Sequence, residues 1–94
     1  MTEIPFVKPE QLEFAREMEK KILDLPSSTG ILFVGIDVGP TRADEDPTYL
    51  VWVGVDRASG LESTTSLLVY KALASEILEG VDLHIEVRRG TVRA

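Results

Sequence analysis

Cysteine is absent from the 94-residue chain. Disulfides, thiolate zinc centres and cysteine nucleophiles are therefore excluded. Histidine and tryptophan occur once each, as His84 and Trp52, so imidazole chemistry would rest on a single side chain. Basic residues are outnumbered, 10 Lys and Arg against 16 Asp and Glu, for a formal net charge of −6. Such a surface repels phosphate backbones on average, and nucleic acid is not an expected partner. No apolar run approaches the ~20 residues of a membrane span. Met1 to Lys8, MTEIPFVK, lacks the basic start and apolar stretch of a secretory leader. A cytoplasmic protein with no membrane contact is the expectation. Repeats and low-complexity tracts are missing too, and the length suits one domain rather than two.

What is present is ordinary for a folded domain. Hydrophobic residues make up 44% and charged residues 28%, enough apolar area to offset chain entropy. The reading is one domain over 1–94, with an N-terminal arm at 1–8 and a basic tail at 89–94.

Five elements are predicted. A first helix starts at Pro9, where proline removes no needed N–H, and ends near Leu25 before Pro26. Its apolar stripe is Ala15, Met18, Ile22 and Leu25, with Phe14 alongside. A first strand spans Ile31 to Val38 and is apolar at nearly every position, which predicts a central place in the sheet. A charged loop from Thr41 to Pro47 leads to a second strand from Thr48 to Asp56, the other half of a hairpin. A second helix begins around Ser59, where Ser59 and Glu62 have capping-box spacing. Its stripe is Val69, Leu73 and Ile77, with Gly80 as the residue that ends it. A third strand, Val81 to Arg88, alternates strictly.

The order α-β-β-α-β predicts an α+β fold. The expected architecture is a two-layer α/β sandwich: a three-stranded mixed or antiparallel sheet of order 2-1-3, with two helices on one face. In element order alone the chain resembles ring-building domains of secretion systems and the cytosolic domains of cation-diffusion transporters. No motif accompanies that resemblance, and it implies no function.

Period-two alternation then sorts the strand residues. Leu32, Val34, Ile36, Val51, Val53, Val55, Leu83, Ile85 and Val87 form the predicted core set. The opposite face receives Ile31, Phe33, Gly35, Asp37, Leu50, Trp52, Gly54, Asp56, His84, Glu86 and Arg88. Two helices leave that second face uncovered. A cluster of Phe33, Leu50, Trp52 and Ile31 on it has the make-up of a contact surface, an apolar centre with a charged rim. The expected function is a non-catalytic interaction or assembly module, partnered by a second copy or another protein, with no cofactor. The competing account is that the segment Ile4-Pro5-Phe6-Val7 folds across this face.

A second function class is a small metal- or ligand-binding domain, possibly enzymatic. Its candidates are His84, Glu86, Asp37 and Asp56, since one imidazole among carboxylates can ligate a metal or exchange protons. Asp44, Glu45 and Asp46 lack the spacing of a calcium loop and read as a solvated turn balanced by Arg42. Gly35 to Pro40 precedes no helix and lacks the lysine of a phosphate loop. Ser63 to Ser66 lie near a helix start, where hydroxyls usually serve as caps. Arg88 to Arg93 is the basic cluster at the C-terminal end, suited to an acidic partner or to solvent.

Overall fold

The computed structural model describes residues 4–26, 30–56 and 62–90. In chain order they form α1 (Pro9–Leu23), β1 (Ile31–Val38), β2 (Thr48–Val55), α2 (Glu62–Ala72), α3 (Ala74–Leu78) and β3 (Asp82–Arg89). The fold is a small α+β arrangement of three helices and a three-stranded mixed sheet. No helix among the described residues is long and apolar enough to cross a membrane.

The sheet order is β1-β2-β3, not the expected 2-1-3. β1 and β2 pair antiparallel as a hairpin, and β2 and β3 pair parallel. The middle strand is therefore β2, on which the local hairpin and the strand–helix–strand crossover converge. Burial records this. Tyr49, Val51, Val53 and Val55 of β2 are at most 4% exposed, whereas Ile36, Val38, Leu83, Ile85 and Val87 on the flanking strands are only partly buried. The continuous apolar run of β1 does not mark a central strand.

One core cluster joins Ala15, Met18 and Ile22 of α1 to Val34, to the β2 residues just named, to Val69 of α2 and to Leu73 at the junction of α2 and α3. Phe14 meets Tyr49 edge to face, with ring centroids 5.4 Å apart. At the start of α1, the Lys8 backbone N–H donates to Gln11 Oε1 at 2.9 Å, which explains why Gln11 is buried.

Two departures from simple periodicity have local causes. The β1–β2 register shifts between Ile31, opposite Val55, and Phe33, opposite Gly54. The extra residue turns Leu32 outward to 64% exposure and sets Ile31 against the core, the reverse of the alternation reading. Leu32 is thus not a core residue, and Ile31 leaves the proposed contact set. The second departure is a break at Leu73, whose φ of −103° and ψ of 17° separate α2 from α3. Leu73 stays buried, but the helical phase resets beyond it. Ile77 is 40% exposed and Glu76 takes the buried position.

Helix α3 ends on Gly80, whose φ is +85°. Gly80 N–H donates to Ile77 O and Val81 N–H to Glu76 O, a Schellman closure that favours glycine at this point. The predicted Ser59–Glu62 box lies partly outside the described residues, as does the tail from residue 91. Arg89, assigned to that tail, is the last residue of β3, and the next N–H, from Gly90, donates to Val55 O.

Candidate functional site

Side chains of alternating strand residues point away from the core cluster. On β1 these are Phe33, Gly35 and Asp37; on β2, Thr48, Leu50, Trp52 and Gly54; on β3, Asp82, His84, Glu86 and Arg88. The register sets them in rows across the sheet: Asp37–Leu50–His84, Gly35–Trp52–Glu86 and Phe33–Gly54–Arg88. Each aromatic ring thus has a glycine opposite it on the β1–β2 ladder. With no side chain at Gly35, the indole reaches β1, and Trp52 Nε1–H donates to Asp37 Oδ2 at 3.1 Å.

The face has two halves. Phe33, Trp52 and Leu50 supply apolar surface on β1 and β2, and Leu50 is 38% exposed. β3 supplies a charged stripe. Asp82 accepts from Thr48 Oγ1 at 2.7 Å and lies 3.4 Å from His84 Nε2, and Arg88 lies 3.3 Å from Glu86. Asp82 and Thr48 were missed by the sequence reading. The period-two phase of β3, carried one step back from His84, would have found Asp82. A shallow depression of about 490 Å3 runs along β2 and β3, bounded by Leu50, Trp52, His84, Glu86 and Tyr70.

The four carboxylate and imidazole candidates are not brought together. Asp37 and His84 share a row, but β2 stands between them, roughly 10 Å for two strand spacings. Asp56 follows Val55 at the far end of β2, six residues from the His84 row, or about 20 Å at the rise of an extended chain. Among the described residues no three His, Asp or Glu side chains are grouped to hold a metal ion. Asp37 serves the indole instead.

Among the described residues, the tertiary hydrogen bonds of the N-terminal segment go to the loop after β1. Phe6 N–H and C=O both pair with Thr41, and Lys8 Nζ donates to Ala43 O, which ties residues 6–8 to the loop after β1. In that loop Arg42 and Glu45 close a turn on each other: Arg42 N–H donates to Glu45 Oε2 at 3.2 Å, and their charged groups lie 3.7 Å apart.

Among the described residues one ionic group is buried. Glu76, on the helical side, is 5% exposed and pairs with Lys21 Nζ of α1. Burial by itself would raise its pKa. Hydrogen bonds from Lys21, the backbone and Ser75, together with the lysine charge, outweigh that and hold the carboxyl below its ordinary value. Burial also raises the Tyr49 hydroxyl pKa.

The chain matches no family model, no curated protein and no solved structure.

Proposed function

We propose that this protein is a non-catalytic assembly module that docks a second copy of itself on the sheet face carrying Phe33, Leu50 and Trp52. In this reading helices and sheet form two layers, and the second sheet face is left for the partner. The observation that carries it is the position of Trp52, on the side of β2 opposite the valine core, beside exposed Leu50. Large aromatic side chains with a polar handle contribute strongly when a partner covers them.

The chain carries a net −6 with His84 neutral, and this face sets Asp37, Asp82 and Glu86 beside Arg88. Side chains of both signs allow a second copy to match unlike charges across the contact.

The test is sedimentation of the wild type and of Trp52→Glu across a wide concentration range. The expected result is self-association of the wild type and a folded, more weakly associating Trp52→Glu. An identical association curve for both chains, with circular dichroism confirming the fold, defeats the proposal.

A further inference from the structure

The free edge of β3 is self-complementary, and we infer that it pairs antiparallel with the β3 edge of a second copy, centred on Ile85. This contact uses neither Phe33, Leu50 nor Trp52 and does not rest on the face proposal above.

Backbone phase comes first. Gly90 N–H donates to Val55 O, so the backbone groups of even-numbered β3 residues point at β2. Those of Leu83, Ile85 and Val87 point to the free edge, since direction alternates along a strand. No fourth strand meets them among the described residues. An antiparallel partner using these groups must pair odd residues with odd residues. The register centred on Ile85 bonds Ile85 to Ile85 of the second copy and Leu83 to its Val87.

The side chains then select that register. On the open face, Asp82 falls opposite Arg88 of the second copy, and His84 opposite its Glu86. Both are non-hydrogen-bonded positions, where side chains approach most closely. Shifting the pairing one step in one direction sets His84 against itself and Asp82 against Glu86. The opposite shift sets Glu86 against itself and His84 against Arg88. Only the centred register of these three places no like charges opposite each other. The outer side of this edge carries both signs, Asp82 and Glu86 with Arg88, which a second copy running antiparallel can match.

The helical side supports the same partner. Leu83, Ile85 and Val87 are only partly buried. Beside them on α2, Leu67 and Tyr70 are 66% and 47% exposed. Leu67 lines one depression with Val87, and Tyr70 borders the depression along β2 and β3, which Leu83 and Ile85 also line. Because Val87 pairs with Leu83 across the two-fold axis, Leu67 of one copy approaches Tyr70 of the other. The pairing covers an apolar strip that is left half-open in one copy. The β1 edge is a poorer template, because the bulge at Leu32 interrupts its bond pattern.

The absence of cysteine makes single-cysteine crosslinking of the full chain a direct register test. Ile85→Cys is expected to form a covalent dimer under mild oxidation, because a hydrogen-bonded antiparallel pair lies within disulfide reach. Leu83→Cys alone and Val87→Cys alone are expected to stay monomeric, and a mixture of the two to crosslink. Crosslinking of Leu83→Cys as fast as Ile85→Cys, or none by Ile85→Cys, overturns the register. In sedimentation, Asp82→Arg should weaken association about tenfold by setting like charges opposite each other twice per dimer. The swap Asp82→Arg with Arg88→Asp should restore it. A swap as weak as the single variant overturns the charge pairing. Ile85→Cys carried in a Trp52→Glu chain still crosslinks if the edge contact stands and the face contact fails. Its crosslinking disappears there only if the edge contact fails.

Discussion

Trp52 and Asp37 stand on neighbouring strands, joined by an indole N–H···carboxylate bond of 3.1 Å. Gly35, opposite Trp52 in the β1–β2 register, leaves the space the ring crosses. Asp37→Ala is expected to cost about 1 kcal/mol, the usual net value of such a bond. It should also change the emission of the single tryptophan. Urea denaturation and fluorescence check both; unchanged spectra and stability would mean that the bond is not made in solution.

Leu73 and Ile77 fall on one helical stripe in the sequence but on opposite sides of the α2–α3 break. Leu73 is fully buried and Ile77 is 40% exposed. Leu73→Ala should cost about 2–5 kcal/mol, as core leucine truncations do, and Ile77→Ala about 1 kcal/mol or less. Equal losses in thermal or urea unfolding would restore an unbroken helix.

The bulge makes a paired prediction at Ile31 and Leu32. Ile31→Ser removes a side chain packed on the core and should cost about 1–2 kcal/mol. Leu32→Ser, at a position 64% exposed, should stay within about 0.5 kcal/mol of wild type. Alternation without the bulge predicts the reverse ranking.

Glu76 sets part of the acid limb of stability. Its folded pKa is lowered, so its ionised form favours the native state. That contribution is complete above the unfolded carboxyl value, 4.5, and is lost as pH falls through the lower folded value. Lys21→Met leaves the carboxylate buried without its cation and should cost about 1–3 kcal/mol at neutral pH. Glu76→Gln should flatten the loss below pH ~4.5, where the native carboxylate takes up its proton. Unfolding curves at neutral and acid pH measure both effects. A Glu76→Gln acid limb as steep as wild type would remove Glu76 from this role.

Gly80 tests the helix stop. A Cβ there meets nothing within 4 Å, but φ is +85°. Gly80→Ala should therefore cost about 1 kcal/mol from backbone conformation alone, with Gly80→Asn closer to wild type. A neutral alanine, read by chemical denaturation, would show that the loop adopts another path.

Much of the candidate face was legible before any coordinates. Alternation along β2 and β3 separates Val51, Val53, Ile85 and Val87 from Trp52, His84 and Glu86, because extended backbone turns successive side chains to opposite sides. The grouping of His84, Glu86, Asp37 and Asp56 was not legible in the same way. It depended on which strands are neighbours and how far along them each residue lies, and the β1-β2-β3 order places β2 between the members.

The sequence alone determined the strand spans within a residue or so, the start of α1 at Pro9, the stop at Gly80 and the absence of thiol chemistry. Each follows from backbone geometry or residue chemistry within a few positions of chain. Tertiary structure decided the sheet order, the exchange of Ile31 and Leu32 at the bulge, the break at Leu73 and the pairing of Lys21 with Glu76 across 55 positions. Those outcomes come from competition among distant segments for the same core volume and hydrogen-bond partners, and a local period carries no record of that competition.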